Sequence, residues 1–152
     1  MTAYELLVAG HVAGAICWVG SDTYLQISSH RIVARENADE IGGFVSDLVF
    51  LGPRWLIPVS LLTVVFGVGA VLDGPWSFGD PWVSAGLTMF VISFLIGLLY
   101  LTPGLDKLDG IGKAEGTGSA AFATQLGKIL LASRIEMVLL WATVLVMVLK
   151  PG

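Results

Sequence analysis

Charge is what this chain has least of. Only 13% of its 152 residues are Asp, Glu, Lys or Arg, against 55% hydrophobic residues and a mean hydropathy of +0.84. A water-soluble domain of this length needs a charged surface, so the composition excludes one and places the chain in a membrane as a single compact unit. Cysteine is nearly absent too. Cys17 stands alone inside the first apolar run, which excludes a disulfide framework, a CxxC pair and covalent c-type haem attachment. Basic residues are few and scattered, leaving no surface for nucleic acid. Histidine occurs twice, at His11 and His30, and no His/Cys spacing suits zinc or copper. The N-terminal segment carries Glu5 where a signal peptide has a positive region, so the first run is expected to stay in the mature protein.

What is there is four long apolar runs, at residues 6–27, 55–72, 81–101 and 129–149. About 20 apolar residues cross a hydrocarbon core of roughly 30 Å as a helix. The expected fold is therefore all-α, a polytopic bundle of four transmembrane helices running up and down. Pro58 falls in the first turn of the second run, where a missing N–H is best tolerated. Gly74-Pro75 and Asp80-Pro81 mark a tight hairpin between runs two and three. Arg31, Arg35 and Arg54 flank the first connection and Lys107, Lys113 and Lys128 the third, whereas the hairpin has no basic residue. The positive-inside rule then puts the first and third connections in the cytoplasm and both termini outside. Lys150 is the one basic residue on the opposite side, and Trp55, Trp76 and Trp82 fall where an interfacial aromatic belt belongs.

Within the first connection Ile41, Phe44, Val45, Leu48 and Leu51 recur at helical spacing, ended by Gly52-Pro53. This predicts a short interfacial helix between spans one and two, or a cytoplasmic extension of span two. The third connection, 104–127, holds Gly110, Gly112, Gly116 and Gly118 and reads as a mobile linker. It is not a phosphate loop, because Gly112-Lys113 is followed by Ala114 and no strand precedes it.

Ionisable residues inside a span are costly and are functional candidates. His11 and Asp22 lie on span one, about 16 Å apart along the helix. Arg134 and Glu136 lie on span four near the depth of Asp22, and Arg54 is close by in the sequence pattern. Being two positions apart, Arg134 and Glu136 cannot face each other. The economical arrangement pairs Arg134 with Asp22 and leaves Glu136 to Arg54, either as helix-pinning ion bridges or as a proton path. His11 shares a face with Gly14, Ala15, Trp18 and Asp22, and Gly10 and Gly14 form a small-xxx-small pair. A histidine beside small residues suits either a hydrogen bond to a neighbouring helix or the axial ligation of a b-type haem, the iron then being the metal at His11. Met89 is the internal candidate for the second axial ligand. His30 lies about 28 Å further along the same helix, and a second copy's His11 is the alternative.

The segment from His11 to Gly20 with Trp18, followed by Tyr24 and a basic helix end, resembles the first span of an uncharacterised bacterial family of four-span integral membrane proteins. The final stretch from Val146 to Gly152 is similar to that family's ending. More distantly the chain resembles the HemJ-type protoporphyrinogen oxidases, through His11 and through Arg134 with Glu136, and the copper-resistance D proteins. The resemblance to a bacterial family implies a bacterial inner-membrane location, and that to the HemJ-type enzymes a membrane-embedded haem b held by His11. Residues 81–101 contain no lysine where those enzymes carry one, so the implication reaches haem and not the oxidation of protoporphyrinogen.

These readings lead to a haem- or porphyrin-binding redox module, with His11 as ligand and Gly14, Trp18 and Met89 around the cofactor. The alternative is a non-catalytic structural or accessory subunit of a membrane complex, and the third reading is a small transporter or proton conductor using Asp22 and Glu136. Against the third stand the lack of an internal repeat and of Gly or Pro pairs breaking a span. Partners are expected to be the lipid bilayer and further copies or a larger membrane complex.

Overall fold

A computed structural model describes residues 1–151 and contains helices and turns, with no strand among them. Helix α1 spans Ala3–Val33. Its start is fixed by a capping box, in which Thr2 Oγ1 accepts from the Glu5 amide while the Thr2 amide donates to Glu5 Oε2. Helix α2, Ala38–Leu51, begins at Asn37, whose Oδ1 accepts from the amides of Asp39 and Glu40. The backbone then runs on through a π-helical turn, Gly52–Leu56, into α3, Ile57–Asp73. After the hairpin come α4, Pro81–Leu95, a second π-helical turn, Ile96–Leu101, and α5, Thr102–Glu115. Helix α6, Ala120–Leu149, starts at Ser119, which accepts from the Phe122 amide.

The molecule is thus a bundle of four antiparallel rods of 31, 36, 35 and 30 residues, each long and apolar enough to cross a membrane. At about 1.5 Å per residue they are about 45–54 Å long, well beyond a hydrocarbon core. The segment between spans one and two is an extension of span two rather than a separate interfacial helix. The expected mobile linker at 104–127 is also corrected: α5 and the start of α6 occupy it, and only residues 116–119 form a turn. Gly116, at φ 85°, supplies the left-handed residue that ends α5.

Both π turns have one local cause. A proline within a helix lacks the amide that would reach four residues back, and its ring crowds that carbonyl. Gly52 stands six residues before Pro58 and Gly97 six before Pro103. In each case the residue ahead of the proline, Ile57 or Thr102, bonds back five residues to the glycine carbonyl. The wider turn absorbs the proline without breaking the rod. Both middle rods therefore run on as continuous helices, each with one widened turn.

Packing falls into two zones. In the half holding the chain ends, α1 lies on α3 and α4 on α6, around Trp18, Val19, Val59 and Leu140 with Leu56, Phe90 and Val144. In the other half α2, α5 and α6 enclose Val45, Leu108 and Phe122. Glycines bring α1 and α3 together from both sides. A Cβ on Gly10 would stand 2.8 Å from the Phe66 ring, one on Gly14 2.5 Å from Thr63 Oγ1, and one on Gly67 2.7 Å from His11 Nδ1. At the hairpin the Trp76 indole donates to the Tyr4 hydroxyl at 3.0 Å, and the Lys150 ammonium lies 4.1 Å from the centre of the Trp76 ring.

Candidate functional site

A cavity of about 140 Å³ lies between the four rods. It runs along α1 from Trp18 to Val33, about 22 Å of helix, and crosses the depth of both π turns, whose Gly52, Leu56, Gly97 and Leu101 line it. Most of the wall is apolar. The polar exceptions are Asp22, Gln26 and Ser29 on α1, Ser60 on α3, Thr102 on α5, and Ser133 and Glu136 on α6. No Lys, Arg or His contributes to the lining.

The register of α1 against α6 puts the two carboxyls together. Gln26 Nε2 donates to Ser133 Oγ at 2.9 Å, tying the two antiparallel helices at one level. One turn toward the chain ends stand Asp22 on α1 and Glu136 on α6, both lining the cavity. At the same level the Thr23 hydroxyl lies 3.6 Å from the Met137 sulfur. Asp22 Oδ2 is buried without a hydrogen-bond partner. Glu136 Oε1 sits against Gly97, 3.4 Å from where a Cβ would stand. Two carboxyls facing one low-dielectric space repel when both are ionised, so the arrangement suits a cation between them.

The expected ion bridges are not formed. Arg134 lies on the exposed side of α6 and makes no ion pair among the described residues. Its position two residues from Glu136 turns it away from the cavity. Arg54 is likewise exposed, with its guanidinium 4.3 Å from the centre of the Phe50 ring and bonded to the Phe50 carbonyl.

His11 is placed outside the lining of this cavity. Its Nδ1–H donates to the Thr63 carbonyl at 2.8 Å, and the imidazole lies against Gly67 of α3. That bond fixes the tautomer and leaves Nε2 with a free lone pair, the form an axial ligand needs. The rest of the expected haem pocket does not fit a macrocycle held within one chain. The Gly10 and Gly14 face is taken by Phe66 and Thr63. Trp18 is buried edge-on against Phe90. Met89 is half-buried on α4, whose main neighbour is α6, whereas His11 rests on α3. No group of three or more His, Cys, Asp or Glu side chains suited to a metal ion occurs among the described residues.

Sequence reasoning found Asp22 and Glu136 but missed Gln26, Ser60, Ser133 and the π turns. The Gly-x5-Pro spacing shared by the two middle rods was the signal for the last. Compared with known families, curated proteins and solved structures, the chain matches none, so the chemistry of this site rests on its geometry.

Proposed function

We propose that this small integral membrane protein binds a small organic cation in the cavity between its rods, with Asp22 and Glu136 as the charged groups, in the manner of a small transporter. One observation carries the reading: two carboxyls from facing helices line one cavity that no basic side chain lines. The π turns that line it support the reading, since π bulges within helices occur frequently at functional sites. The size fits a benzene-scale molecule, because an engineered cavity of about 150 Å³ takes benzene. The distribution of Arg31, Arg35, Arg54, Lys107, Lys113 and Lys128 supports an orientation with the chain ends outside.

The test is calorimetric titration of the detergent-purified protein with benzylammonium. Saturable binding is expected, weakened about tenfold or more by Asp22→Asn and by Glu136→Gln, the scale of a lost hydrogen bond to a charged group. Equal affinity in both variants and the parent would end this reading.

A second reading has its own observation. His11 ties α1 to α3 through Thr63, which favours an accessory membrane subunit in which the histidine is structural. A visible spectrum after expression with haem supplied separates it from haem ligation. A colourless protein supports the structural role, whereas a Soret band lost in His11→Ala puts iron on Nε2.

A further inference from the structure

Two rings of aromatic and basic side chains divide the molecule along its length. Near the chain ends are Tyr4, Trp76, Trp82 and Lys150. Toward the middle are Tyr24, Arg54, Trp55, Tyr100 and Arg134, all exposed. Tyr4 and Tyr24 are twenty residues apart on α1, and Trp82 and Tyr100 are eighteen apart on the third rod. These separations are about 30 Å and 27 Å of helix, matching a hydrocarbon core. Tyrosine and tryptophan collect at both membrane interfaces. Beyond the second ring the exposed residues become aqueous in character, with Asp39, Glu40 and Asp47 on α2 and Asp106, Lys113 and Glu115 on α5. The zone around Val45, Leu108 and Phe122 therefore stands outside the bilayer.

Just past that ring a groove opens between α5 and α6, flanked by Lys107 and Lys128, with Ile111, Ala121, Thr124 and Gln125 between them. Lys107 is seven residues beyond Tyr100 and Lys128 six before Arg134, so both lie about 9–10 Å outside the ring. The headgroup layer is about 5–8 Å thick on each side, and a lysine stem reaches back into it. Neither lysine has a carboxylate partner among the described residues, although Asp106 adjoins Lys107 in sequence; Lys113 on the same helix is paired with Asp109. From Lys128 the same side of α6 continues toward the membrane as Leu131, Ile135 and Val138, all exposed and apolar.

We infer that this groove binds the phosphate of an anionic lipid, held between the Lys107 and Lys128 ammonium groups, with the acyl chains lying along Leu131, Ile135 and Val138. Basic pockets between helices at headgroup depth suit this class of ligand, and the apolar strip below the lysines is what a free phosphate would not use. The experiment is thermal unfolding in detergent micelles titrated with phosphatidylglycerol, phosphatidylcholine or inorganic phosphate. Phosphatidylglycerol is expected to raise the midpoint saturably while the other two do not. In Lys107→Gln/Lys128→Gln the apparent affinity should fall about thirtyfold, the effect of two lysines near a charged surface. Lys113→Gln should leave it unchanged, and Lys107→Arg/Lys128→Arg, which keeps the charge, should retain the shift. An undiminished phosphatidylglycerol response in the Gln double variant overturns the site. A shift of the same size with phosphatidylcholine, or with inorganic phosphate alone, overturns the anionic-lipid assignment.

Discussion

Glu136 and Gly97 are in contact across the α6 interface with the second π turn, a Glu136 oxygen standing 3.4 Å from the site of a Cβ on Gly97. The missing side chain leaves one flank of the carboxyl open to the cavity. Gly97→Ala adds a methyl at ordinary contact distance, so the fold should tolerate it, with stability unchanged or raised by up to about 1 kcal/mol from helix propensity. The same methyl covers part of the carboxyl. Benzylammonium affinity is expected to fall severalfold, and a thermal midpoint measured beside the titration separates this from unfolding.

Gly14 and Gly20 lie on one helix but meet different surroundings. A Cβ on Gly14 would sit 3.2 Å from the Thr63 Cα as well as against its hydroxyl, whereas one on Gly20 meets nothing within 4 Å. Gly14→Ala should therefore destabilise the protein by about 1–3 kcal/mol, because the α3 backbone has to move. Gly20→Ala should be neutral or stabilising by up to about 1 kcal/mol. Detergent-denaturation midpoints of the two variants decide this.

His11 and Gly67 form a size-matched pair. Interhelical hydrogen bonds in membranes average about 0.6 kcal/mol, so His11→Ala should cost about 1–3 kcal/mol once the lost ring packing is added. Gly67→Ala alone should also destabilise, since its methyl would stand 2.7 Å from Nδ1. Together the two changes should cost less than their sum, as the methyl enters space the ring has left, and a double-mutant cycle measures that coupling.

Leu108 is fully buried, in the α2–α5–α6 zone. Leu108→Ala should cost about 2–5 kcal/mol. On the same helix Asp109→Asn removes the ion pair with the exposed Lys113 and should change stability by less than about 1 kcal/mol. Equal effects of the two would mean that α5 does not pack as described.

The four crossings were legible because the length of an apolar run is a direct physical requirement of the bilayer. Helix α5 was not, because Gly110, Gly112, Gly116 and Gly118 read as flexibility across 104–127. In the fold Gly104 takes the Ile129 side chain, and a Cβ on Gly112 would meet the Phe122 ring at 3.2 Å. Glycine there serves close approach of helices, as on α1 and α3. Leu101, Leu105 and Leu108 at helical spacing, with Asp109 four residues before Lys113, were the counter-signal. Asp22 and Glu136 were legible as costly intramembrane groups. Their pairing was not, because it depends on the angular register of α6, which turns Glu136 inward and Arg134 outward, and a sequence does not state that register.

The Trp76 indole is a clasp with two catches. One catch is the Tyr4 hydroxyl on α1, and the other is the Lys150 ammonium at the end of α6. The start of the first rod and the end of the last are thereby moored to one residue of the loop joining the middle two, so both ends of the chain are held at the same corner of the molecule.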